Sequence, residues 1–337
     1  MNKIIAYVGS RDIAGMREED IRSLDVINIA FGGIENGRIV WQSAGAGEAL
    51  ARFRRVNPAM KVVLSVGGWG ADGFSQAART AESRALFAQS GAALAEQYGL
   101  DGIDIDWEYP GMSVSGIESH DDDFDNFPLL LKAIKEALGE GKLVTVAVGG
   151  DTYSVRNVDM KEAAKYLDFI QLMTYDMQGG FQTVTGHHSA LYFGRRNLFD
   201  LCVDKVVKAY LAAGVPAAKL VVGIPFYSRK WENVQLAKGA ETGLGLPAGS
   251  TGGYGPTYST LKESFIGKNG FVRYWDEDAK VPYLFDGSTF ITYEDPESMA
   301  AKVAYVKENH LGGVMYWEYR CDGTQELTEF LRREMDN

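Results

Sequence analysis

Short apolar, β-branched segments of strand length recur along the chain at 4–8, 26–31, 61–66, 102–107, 143–148, 169–174, 220–224 and 313–317. Between most of them lie alanine-rich, charged stretches whose apolar positions have helical spacing, at 82–98, 124–138, 198–213 and 297–309. Strand and helix alternating through eight strands predict an α/β fold, a (β/α)8 TIM barrel. A doubly wound sheet shares the alternation, and the strand count favours the barrel. The rhythm breaks once, over 231–290, which is rich in Gly, Tyr, Thr and Asp and holds strand-like pieces such as 270–275. Compact domains rarely carry structureless connections beyond about 15 residues, so this stretch reads as a small α+β insertion between the seventh and eighth strands. The barrel then comprises 1–230 and 291–337. The insertion is expected beside the C-terminal rim, where barrel active sites are built, deepening the groove.

The apolar pattern is interrupted most informatively in the fourth strand, which reads Asp101-Gly-Ile-Asp-Ile-Asp-Trp-Glu-Tyr-Pro110. Side chains alternate along a strand, so Ile103, Ile105 and Trp107 face one way while Asp104, Asp106 and Glu108 face the other. Neighbouring carboxylates in that row have Cα atoms roughly 6.5 Å apart, close enough to titrate together. A solvated polar face would suit a half-buried antiparallel strand, but a parallel α/β sheet is covered on both faces. Asp101 falls off the shared face and is expected to act structurally at the strand's start. Glu108 stands at the strand's C-terminal end, just before Pro110, where a general acid belongs. Burial and a negative neighbour, expected to be Asp106, would raise its pKa toward neutrality. Asp104 and Asp106 are expected to share a proton, with Asp106 free to turn between Asp104 and Glu108.

Composition narrows the substrate. With 46% hydrophobic and 23% charged residues the chain suits a packed core and not disorder. Its 34 basic against 45 acidic residues give a net charge of −11, which repels nucleic acid and acidic polymers and favours a neutral substrate. No apolar run approaches the ~18 residues that cross a bilayer, so no membrane partner is expected. Two cysteines, Cys202 and Cys321, make no disulfide framework, and Cys321 reads as a small buried residue. The first residues run straight into a strand without a signal-peptide pattern, which slightly favours a cytoplasmic protein over a secreted one whose signal has been removed. His120, His187, His188 and His310 lack His-Glu-x-x-His spacing, so neither a metal nor another cofactor is expected. Gly243-Leu-Gly245 reads as turn chemistry, and the acidic run at 121–125 as a helix start.

The motif Asp101-x-x-Asp104-x-Asp106-x-Glu108 resembles the active-site motif of glycoside hydrolase family 18, the chitinases and their relatives. Ser65-Val-Gly-Gly-Trp69 resembles the family's third-strand motif and Gln171-Leu-Met-Thr-Tyr-Asp176 its sixth. Gly223-Ile-Pro-Phe-Tyr-Ser-Arg229 and Gly313-Val-Met-Tyr-Trp-Glu-Tyr319 resemble its last two. The insertion resembles the chitinase insertion domain. The resemblance implies Glu108 as the proton donor, with the substrate's own N-acetyl carbonyl, not an enzyme nucleophile, attacking the anomeric carbon. It implies that Asp106, backed by Asp104, holds the acetamide N–H and balances positive charge, and that Tyr175 donates to the acetamide carbonyl. Trp317 would floor the site, with Met173 and Asp176 as walls. Tyr7, Phe31, Trp69 and Tyr227 would offer flat faces to sugar rings, though aromatics also pack barrels. Arg229 would be a polar contact, and Phe181 stands where relatives often carry tryptophan. Gly67 and Gly68 would clear space for the carboxylates without touching substrate.

The expected activity is hydrolysis of β-1,4 links between N-acetylglucosamine units in chitin or chitooligosaccharides. Alternatives are an endo-β-N-acetylglucosaminidase acting on N-glycans, a muramyl-peptide or spore-wall hydrolase, and an inactive chitin-binding lectin-like relative. The insertion weighs against the first and the presence of Glu108 against the last. A monomer is the default expectation, and no segment outside barrel and insertion reads as a separate carbohydrate-binding module.

Overall fold

A computed structural model describes residues 2–236 and 242–337. The chain lays down β1 (Lys3–Gly9), β2 (Val26–Glu35) and β3 (Arg38–Val40), the last a short antiparallel partner of β2. Then follow β4 (Lys61–Gly67), β5 (Gly102–Asp106), β6 (Leu143–Gly149), β7 (Phe169–Met173) and β8 (Leu220–Pro225). A second sheet comes next, made of β9 (Tyr227–Trp231), β10 (Gly253–Thr257), β11 (Val272–Asp276), β12 (Val281–Phe285) and β13 (Phe290–Thr292), before β14 (Gly313–Trp317). Strands β1, β2, β4, β5, β6, β7, β8 and β14 pair in parallel, and β1 pairs with both β2 and β14, so this sheet closes on itself. With helices between its strands it is a (β/α)8 TIM barrel, as the alternation predicts.

The period of two places the residues of β5 as expected. Ile103 and Ile105 point outward into the large core between sheet and helices, where Trp107 stacks on Phe74 at 5.5 Å and meets Phe127 edge-on at 5.5 Å. Asp104 and Asp106 point inward. The barrel interior is apolar around Ile5, Val26, Val63, Phe169, Val221 and Met315. Buried polar side chains, Asn28, Ser65, Asp104, Thr145 and Gln171, are set among them.

The second sheet is antiparallel, in the order β10-β9-β13-β12-β11, and carries the helix Tyr258–Ser264. Trp231, Tyr283, Phe285 and Phe290 fill its own small core. It begins two residues after β8 ends, so Arg229 on β9 stays close to the barrel rim. A fully buried Lys302–Glu294 ion pair, joined by Ser189 and Ser298, and a His187–Asp276 contact at 3.0 Å fasten it to the barrel's loops.

Two helices differ from expectation. The apolar spacing over 198–213 yields a helix only from Val203 to Ala212, because the Val203 and Asp204 N–H groups bond the Ala190 and Leu191 carbonyls instead of an earlier turn. The acidic run does start a helix, Asp123–Leu138, but Asp122 makes no side-chain cap. Asp123 is instead buried, accepting from Ser75 Oγ at 2.6 Å and from the Gly111 and His120 N–H groups at 3.0 Å. Its carboxylate thus pins the loop that follows Glu108. Among the described residues no helix is long and apolar enough to cross a membrane.

Candidate active site

The barrel's register gathers the site. Asp104 lies beside Ser65 on β4 and Thr145 on β6, whereas Asp106 is flanked by Gly67 and Ala147, the two smallest side chains available, which leaves its carboxyl room. Asp104 is sealed from solvent and accepts four hydrogen bonds from four other strands. Tyr7 Oη and Ser65 Oγ reach Oδ2 at 2.8 and 2.6 Å; Thr145 Oγ1 and Gln171 Nε2 reach Oδ1 at 2.6 and 2.8 Å. Asp106, one step up, is also buried, and its Oδ1 has no partner. Glu108 follows the strand at the mouth of the barrel.

The three carboxyls are graded in proton affinity. Burial raises Asp104, but its four donors oppose the rise. Burial, Glu108 and Asp104 together push Asp106 well above the carboxylate range, with no hydrogen bond to counter them. Burial raises Glu108 to about 7, with the charge of Asp176 adding to it. Each oxygen of Asp104 accepts two hydrogen bonds from other strands, and none joins it to Asp106 among the described residues. Asp176 adds a negative neighbour at Glu108 that the sequence did not suggest, and the charge of Glu108 in turn bears on Asp106.

Asp176 belongs to a second cluster, beyond the end of β7. It occupies a left-handed backbone conformation, φ 57°, and its carboxylate receives Arg229 Nε and a terminal guanidinium nitrogen at 2.7 Å each. Burial would raise it; His188 and the Arg229 fork outweigh burial and hold it well below the usual range. Arg229 is itself sandwiched, with Tyr254 4.1 Å and Tyr227 5.7 Å from its guanidinium carbon. Tyr175 meets Tyr227 edge-on at 6.1 Å, and Gly223 on β8 leaves space for its ring. Burial and the charges of Asp106 and Glu108 keep the Tyr175 hydroxyl protonated, hence a donor.

Trp317 caps the interior, stacked on Phe31 at 5.6 Å and tilted on Tyr7 at 5.6 Å, with Met173 in the same cluster. Tyr7 and Tyr227 were expected to face sugar; both are buried, Tyr7 because Asp104 takes its hydroxyl and Tyr227 because Tyr175, His188 and Arg229 enclose it. Arg229 is committed to Asp176 and is not a free polar contact. Trp69 and Phe181 stand 57% and 80% exposed, and neither ring packs on another among the described residues. Gly67 and Gly68 have φ of 120° and 94°; a Cβ on the first would lie 2.1 Å from the Asp106 carbonyl oxygen and on the second 2.8 Å from the Phe31 ring. Asp101 sits at the opposite end of β5, accepting from the Val62 N–H at 2.8 Å and pairing with Arg54 at 2.7 Å.

The sequence profile of the Glycosyl hydrolases family 18 matches residues 3–322. The chain belongs to this family. Chitinase A1 of Niallia circulans is 35% identical over 320 residues, 87% of this chain and 45% of that protein. Chitotriosidase-1 of Mus musculus is 33% identical over 322 residues, 86% of this chain and 66% of that protein. The chain thus spans between about half and two thirds of these relatives' lengths. A solved structure of a family 18 N-acetylglucosaminidase from Paenibacillus barengoltzii is 44% identical, with a TM-score of 0.95, covering 99% of this chain and 100% of that one.

Within this family 18 site, the residues that sequence reasoning passed over are those that serve the carboxylates from other strands. Asn28, Ser65, Thr145 and Gln171 are isolated polar residues in apolar strands, a signal the alternation did carry. Tyr254 and His188 gave none, because Tyr254 meets Arg229 through the pairing of β10 with β9, and His188 comes within 3.6 Å of Asp176 where the loop beyond β7 folds back on itself.

The raised proton affinity of Glu108 has a thermodynamic signature. An unfolded glutamic acid ionises near 4.5 while the folded one waits until about 7, so stability is full below 4.5 and falls as pH rises through 7. Glu108→Gln should therefore melt a few degrees above the native protein at pH 8, with the gap closing toward pH 4.5. Thermal melts across that range check this, and a gap independent of pH would refute the assignment.

Proposed function

We propose that this protein hydrolyses β-1,4 linkages between N-acetylglucosamine units in chitin or chitooligosaccharides, with retention and assistance from the substrate's acetamido group. The observation that carries the reading is the unpartnered Oδ1 of Asp106, a buried acceptor between a saturated carboxylate and a protonated acid. Buried acceptors in native proteins find donors, and an acetamide N–H on the reacting sugar is the donor that fits this chemistry. The family and the names of the chitinase relatives point the same way.

In this reading Glu108, protonated at neutral pH, donates to the glycosidic oxygen. Asp106 accepts the acetamide N–H, Tyr175 donates to the acetamide carbonyl, and that carbonyl oxygen attacks the anomeric carbon. The Asp104–Asp106 pair, holding one proton between two carboxyls, keeps a net negative charge opposite the developing oxazolinium. Water, deprotonated by the now anionic Glu108, then opens the ring. Support for a substrate nucleophile comes from the carboxyls themselves: the lone pairs of Asp104 are occupied and Asp106 carries a proton, so neither is a free anion for attack. Trp317 would lie beneath the distorted sugar, with Met173 and Asp176 beside it, while Phe31, Trp69 and Phe181 offer outer surfaces. The second sheet would act as a chitinase insertion domain, raising one wall of the groove. A second reading, release of single N-acetylglucosamine units, draws on the 44% identical N-acetylglucosaminidase structure.

Incubating N-acetylglucosamine oligomers with the native protein and with Glu108→Gln, and resolving products by length, tests the proposal. Turnover should fall about 10²–10⁴-fold in the variant, and the product lengths separate the two readings. Release of shorter oligomers by neither protein, or equally by both, would overturn it. Because Glu108 must carry a proton, kcat/KM should decline on the alkaline side through about pH 7; Asp176→Asn, which removes a negative neighbour, should move that limb to lower pH. An unmoved limb would disprove the Asp176 contribution. A thiazoline mimic of the cyclised acetamide should inhibit strongly, and weak inhibition would point to an enzyme nucleophile.

A further inference from the structure

Four donors serve Asp104, and they are not equivalent. The hydroxyls of Tyr7, Ser65 and Thr145 can each turn to donate to a carboxylate or to accept from a carboxylic acid. Gln171 cannot: its Nε2 only donates, so the end of its amide that faces Asp104 decides which charge state is served. That choice is made one side chain further out. Asn28 on β2 donates from Nδ2 to Gln171 Oε1 at 2.7 Å, which leaves Gln171 Nε2 facing Asp104 Oδ1 at 2.8 Å. A half-turn of the Gln171 amide has the same shape but sets oxygen against an anion and donor against donor.

Asn28 is an unexpected residue for its place. It is 1% exposed inside the barrel, and its own Oδ1 is buried without a partner, a defect that leucine there would not carry. We propose that Asn28 is a positioning residue that fixes the orientation of the Gln171 amide and thereby keeps the negative charge on Asp104 and the proton on Asp106. The inference rests on the hydrolytic reading above. It extends the machinery from the fourth barrel strand to β7 and β2, which face each other across the barrel interior. The titratable groups facing the pair are Tyr7 from β1, Glu108 and Tyr109 beyond β5, and Tyr175 beyond β7. Among the described residues none of them hydrogen-bonds Asn28 or Gln171. When Gln171 is released, Asp104 loses its one irreversible donor, gains proton affinity and competes with Asp106. The pair then becomes neutral at higher pH and stops balancing the charge that develops on the sugar.

The test is Asn28→Leu, which keeps the volume and removes the orienting N–H. Its kcat should fall about tenfold or more with KM within twofold of native, and the acidic limb of kcat/KM should move up by about one pH unit. Gln171→Met should show the same displacement, and the double variant should lose no more than Gln171→Met alone. If Asn28→Leu does not fold, Gln171→Met carries the test. Carboxyl ¹³C resonances of aspartate-labelled protein, titrated without substrate, should show one carboxyl of the pair taking up its proton at higher pH in either variant. A native-like acidic limb and native-like carboxyl titration in folded variants would overturn the proposal. A native protein that cleaves no oligomer but shows the displaced carboxyl titration in the variants would instead defeat the hydrolytic reading alone.

Discussion

A carboxylate with no water around it must be paid for in hydrogen bonds, and in this protein that requirement organises the barrel. Asp104 draws one side chain from each of four other strands. Each donor has to arrive at one height, so the register of β1, β4, β6 and β7 against β5 is fixed by chemistry as well as by apolar packing. The steps above depend on this. Because Asp104 is saturated, Asp106 is left without a donor, and its proton affinity rises beside Glu108, which also feels the charge of Asp176.

Two structural units share the work around Glu108. The barrel supplies a graded ladder of proton affinity along a single strand, with the tightest site in the middle. The second sheet supplies Arg229, which pairs at the side with Asp176 of the barrel and is braced by Tyr227 and Tyr254. Small residues do the quieter part: Gly67 and Ala147 open the slot in which Asp106 stands, and Gly223 admits Tyr175. Placing a larger side chain at any of these would crowd Asp106 or Tyr175 and so close the site.

The eight barrel strands were legible because each is an apolar run between amphipathic stretches, and a parallel sheet buried on both faces leaves that signature. The row Asp104, Asp106, Glu108 was legible because charge in such a strand contradicts its burial. What escaped was relational. Whether Gln171 or Asn28 stands at the height of Asp104 depends on the shear of the closed barrel, which no local pattern encodes. Spacing along one strand likewise says nothing of the donors that reach Asp104 from four others. The helix expected from 198 starts at Val203 because Ala190 and Leu191, distant in pattern though near in space, claim its first N–H groups. Tyr7 and Tyr227 were read as surfaces; an aromatic at a strand end can equally be a buried hydroxyl, and only the partner decides.

The fork between Arg229 and Asp176 spans the seam between β9 of the second sheet and the loop beyond β7 of the barrel. It is therefore a mechanical link and an electrical one at once. Any swing of the second sheet that drew the guanidinium away would leave Asp176 uncompensated and deepen the negative field at Glu108, making it a weaker acid. Seating the sheet firmly would do the reverse. Acidity at the barrel's mouth is in this way a gauge of how tightly the two sheets are clasped.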